Sequence, residues 1–178
     1  KGLDILVDSF IELKDSGHHD NLSLKIAGGM TDEDKPFVEE QRSKLSRAGL
    51  DQHFSISPNI SREEKLEFLK NLTVFSVPAR YPEAFGLYVV EAMLAGTPVV
   101  LPASGAFPEI IDSTKGGKLY DPSISGKLTE TLDDMLSDPQ GARDIGIQAH
   151  EAVLEQYANE KLAKRLVDNV ASPTPVNQ

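Results

Sequence analysis

Cysteine is missing from all 178 residues. Its absence excludes disulfides, thiolate metal centres and a cysteine nucleophile, and it suits a reducing, cytoplasmic setting. Basic residues are in deficit: 18 Lys and Arg stand against 28 Asp and Glu, a net charge of −10 at pH 7. That balance disfavours nucleic acid as a partner, because affinity for it depends largely on neutralising phosphates. No apolar run approaches the roughly 20 residues of a membrane span, so membrane association is not indicated. His18 and His19 share a polar loop without further histidine at metal-ligand spacing, and no metal site is expected. Gly28-Gly29 is consistent with a turn or with close approach of a nucleotide, but no G-x-G-x-x-G fingerprint surrounds it. Ser104 lacks a G-x-S-x-G elbow, which sets hydrolase chemistry aside.

What remains is the composition of an ordinary folded domain, 39% hydrophobic and long enough for one substantial core. Leu3, Leu6, Val7, Phe10 and Leu13 recur at helical spacing. Short apolar runs at 21–27, 53–56, 73–77, 98–101 and 118–120 read as strands. Helices are expected at 31–48, with Pro36 in its first turns and Gly49 as a stop, and from Ser61, whose Ser-Arg-Glu-Glu sequence is a capping box. Further helices are expected at 87–95 and 108–111. Such alternation implies an α/β fold, a doubly wound, Rossmann-like parallel sheet with helices on both faces and ligands at the C-terminal strand ends. The loops placed there are Gly28-Gly29, 57–60, 79–86 and 103–108. The tail turns wholly helical, with amphipathic segments at 124–136, 140–157 and 159–169, and 171–178 is expected to be disordered.

The most informative segment joins the strand at 73–77 to the helix at 87–95. Glu91 is the only charged residue between Gly86 and Gly96 in an otherwise apolar helix, and Glu83 lies eight positions earlier. A carboxylate taken out of water costs several kcal/mol unless a counter-charge or hydrogen bonds satisfy it. No Lys or Arg lies one turn away along the helix, so a ligand bearing hydroxyls is the expected partner. Gly86 opens the helix without a Cβ, leaving the free first-turn amides and the helix dipole to favour a phosphate. Plainer readings stand beside this one: a glutamate ahead of a helix is a dipole partner worth about 0.3 to 1 kcal/mol, and a single glutamate within a helix commonly points to solvent.

The run Glu83-Ala84-Phe85-Gly86-Leu87-Tyr88-Val89-Val90-Glu91-Ala92-Met93-Leu94-Ala95-Gly96-Thr97-Pro98 resembles the E-x7-E signature of retaining family 4 glycosyltransferases of the GT-B fold (glycosyl transferases group 1). Lys1-Gly2 resembles the end of that family's Arg/Lys diphosphate motif, Leu24 to Gly29 its second strand, and Gly105-Ala106-Phe107-Pro108-Glu109 its G-G-x-P-E loop. The resemblance implies that Glu83 and the amides of Phe85 and Gly86 hold the donor sugar's hydroxyls. It further implies that the Leu87 amide touches a phosphate, Glu91 binds the ribose diol and Lys1 neutralises the diphosphate. Ala84 and Ala106 stand where the family more often has glycine, which implies altered loop shape or sugar preference.

On this footing the chain is expected to be one half of a GT-B enzyme: a donor-binding domain over 1–170, with the helices of 140–170 packed at its edge and the acceptor-binding N-terminal domain outside this chain. The implied reaction is metal-independent, retaining transfer of a hexosyl group from a UDP-, GDP- or ADP-linked sugar, with Glu83 and Lys1 as the groups nearest the chemistry and no cofactor. Alone, the chain is expected to bind donor weakly and transfer nothing. Two alternatives remain: another GT-B enzyme, such as a nucleotide-sugar epimerase or a phosphorylase, and a non-enzymatic doubly wound domain that binds a partner protein.

Overall fold

In the computed structural model, residues 1–157 are described; the helix expected at 159–169 and the tail at 171–178 lie outside the described residues. Helices and strands alternate as α1 (Leu3–Asp15), β1 (Leu24–Gly28), α2 (Lys35–Arg47), β2 (Phe54–Pro58), α3 (Arg62–Lys70), β3 (Phe75–Ser76), α4 (Leu87–Leu94), β4 (Val99–Pro102), α5 (Phe107–Thr114) and β5 (Gly117–Tyr120). Two helices close the described chain, α6 (Lys127–Leu136) and α7 (Pro139–Tyr157).

Every strand pair is parallel, but hydrogen bonding divides the strands into two sheets, β1-β2 and β3-β4-β5, where one continuous sheet is the sequence expectation. The division falls at β3. The apolar run at 73–77 forms only two ladder residues, Phe75 and Ser76, paired with Val99 and Val100, and Pro78 beyond them has no N–H to extend a ladder.

β4 is the centre of the core. All four of its residues are buried, as a strand covered on both faces requires. Val99 and Leu101 pack into a cluster with Val89, Met93, Phe107 and Ala149, which belong to α4, α5 and α7. Val100, pointing the other way, joins Leu13, Leu128 and Met135 of α1 and α6. Burying each of these β4 side chains is worth about 1.5 to 3 kcal/mol. A third cluster, with Val7, Phe10, Leu24 and Leu45, seats α1 and α2 on β1.

Local side-chain chemistry moves two helix starts from their expected places. α2 begins at Lys35, not at residue 31, because Asp34 Oδ2 takes the Thr31 amide and hydroxyl, both at 2.8 Å, and folds 31–34 into a turn. The Thr31 amide also holds the Asp34 carboxyl below the usual carboxylate range. α6 starts at Lys127 because Asp121 captures the Ser123 amide at 2.9 Å and makes another turn. The capping box on α3 forms as expected: Ser61 Oγ accepts the Glu64 amide at 3.1 Å, and Glu64 Oε2 accepts the Ser61 amide at 2.7 Å.

Candidate functional site

The C-terminal ends of β1, β2 and β3 open onto a cavity of about 920 Å³ that runs between the two sheets. Its polar wall includes Gly28, Gly29, Ser57 and Asn59 from the expected loops, together with Lys1, Lys65, Tyr88 and Glu91.

Gly86 sets the geometry of the α4 mouth. It caps α4 in the left-handed conformation, φ 74°, and a Cβ there would lie 2.7 Å from Cε1 of the fully buried Phe107. The sequence expectation was that glycine clears space for a ligand, but the chain itself requires glycine here before any ligand arrives. The preceding loop is stitched to the next one: the Ala106 amide donates to the Glu83 carbonyl at 2.9 Å. Gly105, φ 58°, passes so close that a Cβ would sit 2.5 Å from the Glu83 backbone. Ala106 has an ordinary φ of −77°, so its methyl group in place of the more usual glycine introduces no backbone strain. In the first turn of α4, the Val89 amide returns to the Gly86 carbonyl at 2.8 Å. Among the described residues, the Leu87 and Tyr88 amides have no protein acceptor, and Leu87 is 61% exposed.

Both motif acids are engaged by lysines. Lys1 forms an ion pair with Glu83 and lies over the Tyr88 ring, with Nζ 5.3 Å from the centroid. Lys65 Nζ on α3 lies 2.7 Å from Glu91 Oε1. The expectation that Glu91 is a buried carboxylate without a counter-charge is therefore corrected. Its side chain is 31% exposed and its partner comes from the neighbouring helix, 26 residues earlier in the chain. Looking only one turn along α4 could not find it.

The site residues implied by the sequence thus come together unevenly. Lys1 and Glu91 stand on the cavity wall, and Glu83 is joined to it through Lys1. Phe85 and Gly86 lead into α4, which begins at Leu87, and none of the three lines the cavity. Two wall residues were missed, Lys65 and Tyr88. Lys65 looks like any solvated helix lysine in sequence, and only the packing of α3 on α4 reveals its contact. Tyr88 is legible only as the one aromatic residue of an apolar helix. Burial pushes its phenol up to about 12, and its hydroxyl has no hydrogen-bond partner among the described residues.

Arg80, in the loop between β3 and α4, pairs with Asp4 at the start of α1. His19 Nε2 lies 2.7 Å from Asp133 Oδ1 and ties the 16–20 loop to α6. Among the described residues, no group of three His, Cys, Asp or Glu is placed to hold a metal ion, and no helix is long and apolar enough to cross a membrane.

Residues 1–152 match the family described as glycosyl transferases group 1. The chain is 27% identical over 174 residues to a GDP-mannose-dependent alpha-(1-6)-phosphatidylinositol monomannoside mannosyltransferase of Mycolicibacterium smegmatis, covering 94% of this chain and 44% of that protein. It is 32% identical over 161 residues to a sucrose synthase of Denitrovibrio acetiphilus, covering 82% and 20%. Among solved structures, the C-terminal domain of a glycosyl transferase group 1 family protein (LpcC) from Francisella tularensis aligns with TM-score 0.77 at 26% identity, covering 88% of this chain and 80% of that one. HepE of Anabaena, solved in complex with UDP-glucose, aligns with TM-score 0.80 at 20% identity over 96% of this chain and 45% of its own, a likeness of fold. The chain spans less than half the length of the curated relatives named here.

Proposed function

Because the chain belongs to the glycosyl transferases group 1 family, we propose that it is the donor-binding half of a GT-B enzyme that moves a hexosyl group from a nucleotide-diphosphate sugar to an acceptor, with retention and without a metal. One observation carries this reading: Glu83 and Glu91 flank a glycine-opened helix mouth with two unspent amides, and each acid is held by a lysine at the same cavity.

The division of labour is the one that the family resemblance implies. Glu83 and the Phe85 and Gly86 amides orient the sugar hydroxyls, and the carboxylate offsets positive charge at an oxocarbenium-like transition state. The Leu87 amide, at the positive end of α4, takes a phosphate oxygen. Lys1 balances the diphosphate as the glycosidic bond breaks, when electrostatic help counts most. Glu91 accepts the ribose hydroxyls. Relatives lend support for the ligand class: the M. smegmatis protein is named as GDP-mannose-dependent, and HepE was solved with UDP and with UDP-glucose. The acceptor site belongs to an N-terminal domain of the full-length enzyme.

Titration calorimetry with UDP, GDP and ADP tests the reading. Glu91→Ala is expected to weaken the preferred nucleotide by about 1.5 to 3 kcal/mol, the range for hydrogen bonds to a charged group, while the circular dichroism spectrum is unchanged. Equal affinities for the two proteins would remove Glu91 from the ribose.

A further inference from the structure

Lys65 sits at the fourth helical position of α3, and the chain holds this helix at both ends. At its start the Ser61–Glu64 box fixes the first turn. Near its end, the buried Thr97 hydroxyl donates to the Leu69 carbonyl at 2.7 Å, and Leu69, one turn beyond Lys65, is packed in the core. Lys65 is thereby carried on a fixed platform toward α4, where its Nζ meets Glu91 Oε1 at 2.7 Å on the cavity wall.

An ion pair at this exposure, 42% and 31% for the two side chains, contributes little to folding. Its chemical consequence is larger. The ammonium group has three N–H donors and Glu91 Oε1 accepts one of them, which leaves two donors and the second carboxylate oxygen on two residues that both line the cavity. A donor beside an acceptor matches a vicinal diol, whose hydroxyl oxygens accept from the lysine while their protons go to the carboxylate. We propose that Lys65, together with Glu91, reads the ribose 2′-hydroxyl of the donor nucleotide, making it a specificity-determining residue of the site. This rests on the nucleotide-sugar reading given above. A cation that served only to attract phosphate would treat ribonucleotide and deoxyribonucleotide alike. A lysine that reads the diol would not.

The test is calorimetry on the full 178-residue chain with UDP, GDP and ADP and their 2′-deoxy counterparts. The wild-type protein is expected to bind its preferred ribonucleotide about tenfold or more tighter than the deoxy form, as one charge-assisted hydrogen bond allows. Lys65→Met is expected to bring that ratio to about twofold or less, and Lys65→Arg to keep most of it. Lys65→Gln provides a second neutral variant if the methionine variant does not fold. A ratio unchanged in the neutral variants, equal weakening of both nucleotide forms, or a wild-type protein that binds without discriminating would each overturn the role of Lys65 while leaving the donor site standing. If the wild-type chain binds none of the three nucleotides, the nucleotide-sugar reading itself falls.

Discussion

Gly86→Ala separates what the fold demands of this glycine from what a ligand demands. Alanine at φ 74° costs about 1 to 2 kcal/mol, because its Cβ crowds the following carbonyl oxygen in the left-handed region. The new Cβ also lies 2.7 Å from Phe107 Cε1 and 3.5 Å from Cδ1, and Phe107 is fully buried, so the ring has to move within a packed core. Overpacking of this kind adds about 1 to 3 kcal/mol, and the total expected loss is about 2 to 5 kcal/mol. Gly96 supplies the control. Its φ is 82°, yet a Cβ there meets nothing within 4 Å, so Gly96→Ala is expected to cost the backbone contribution alone, about 1 to 2 kcal/mol. The chain contains no tryptophan, and urea unfolding is best followed by far-ultraviolet circular dichroism. Phe107→Leu makes room for the methyl group, so the double variant Gly86→Ala/Phe107→Leu is expected to lose less than the sum of the single variants, by about 1 kcal/mol or more. Equal costs at Gly86 and Gly96, or strict additivity with Phe107→Leu, would show that the ring contact does not hold Gly86 in place.

Thr97→Val is expected to cost about 1 kcal/mol, read as a lower thermal midpoint. It removes the 2.7 Å hydrogen bond to the Leu69 carbonyl, which is left with backbone amides, that of Leu72 at 3.1 Å among them. A valine variant as stable as wild type would dismiss this latch between α3 and the start of β4. Tyr88 and Tyr120 are both pushed up to about 12 by burial, above the ordinary value near 10. A raised folded-state value means that this contribution to stability is complete below pH 10 and is lost as pH rises toward 12. Two of the four tyrosines should therefore ionise late in a phenolate absorbance titration, and Tyr88→Phe should delete one late step without loss of stability, since that hydroxyl has no partner. A single phenolate step near pH 10 would refute the burial assigned to these rings.

The parts of the fold that were legible are those governed by short-range rules. Apolar runs located the five strands of the described residues, and Ser61 with Glu64 announced the α3 start because a capping box is complete within four residues. Errors arose where a side chain competes with the backbone over two or three residues. Asp34 and Asp121 each fold a turn where periodicity alone extended a helix. The split between β1 and β3 was not legible either, since the run at 73–77 has the composition of a longer strand and pairing is decided by partners distant in sequence. At the candidate site, the two acids and the glycine between them were readable as a local pattern, whereas Lys65 was not: the distance from Lys65 to Glu91 depends on how α3 lies on α4, and spacing along one helix carries no information about that.

On the donor-binding reading proposed above, this placement of charges changes how a diphosphate must bind. With Lys1 on Glu83 and Lys65 on Glu91, both lysines beside the motif acids are paired before any ligand arrives, and Lys25 is a further cation on the cavity wall. Two sources of attraction remain at the α4 mouth itself. The α4 dipole contributes about half a positive charge at amides with no protein acceptor, and Lys1, whose side chain is 64% exposed, is free to exchange the Glu83 carboxylate for phosphate. On that reading, as Lys1 leaves, Glu83 regains its full negative charge beside the sugar, so neutralising the leaving group and freeing the sugar-orienting acid become one movement. Lys65 has no equivalent reason to move, because the ligand group nearest to it is an uncharged diol. On the proposed reading the two pairs, alike in composition, carry different duties: the Lys1–Glu83 pair opens when the donor binds, and the Lys65–Glu91 pair persists as the surface against which the ribose is read.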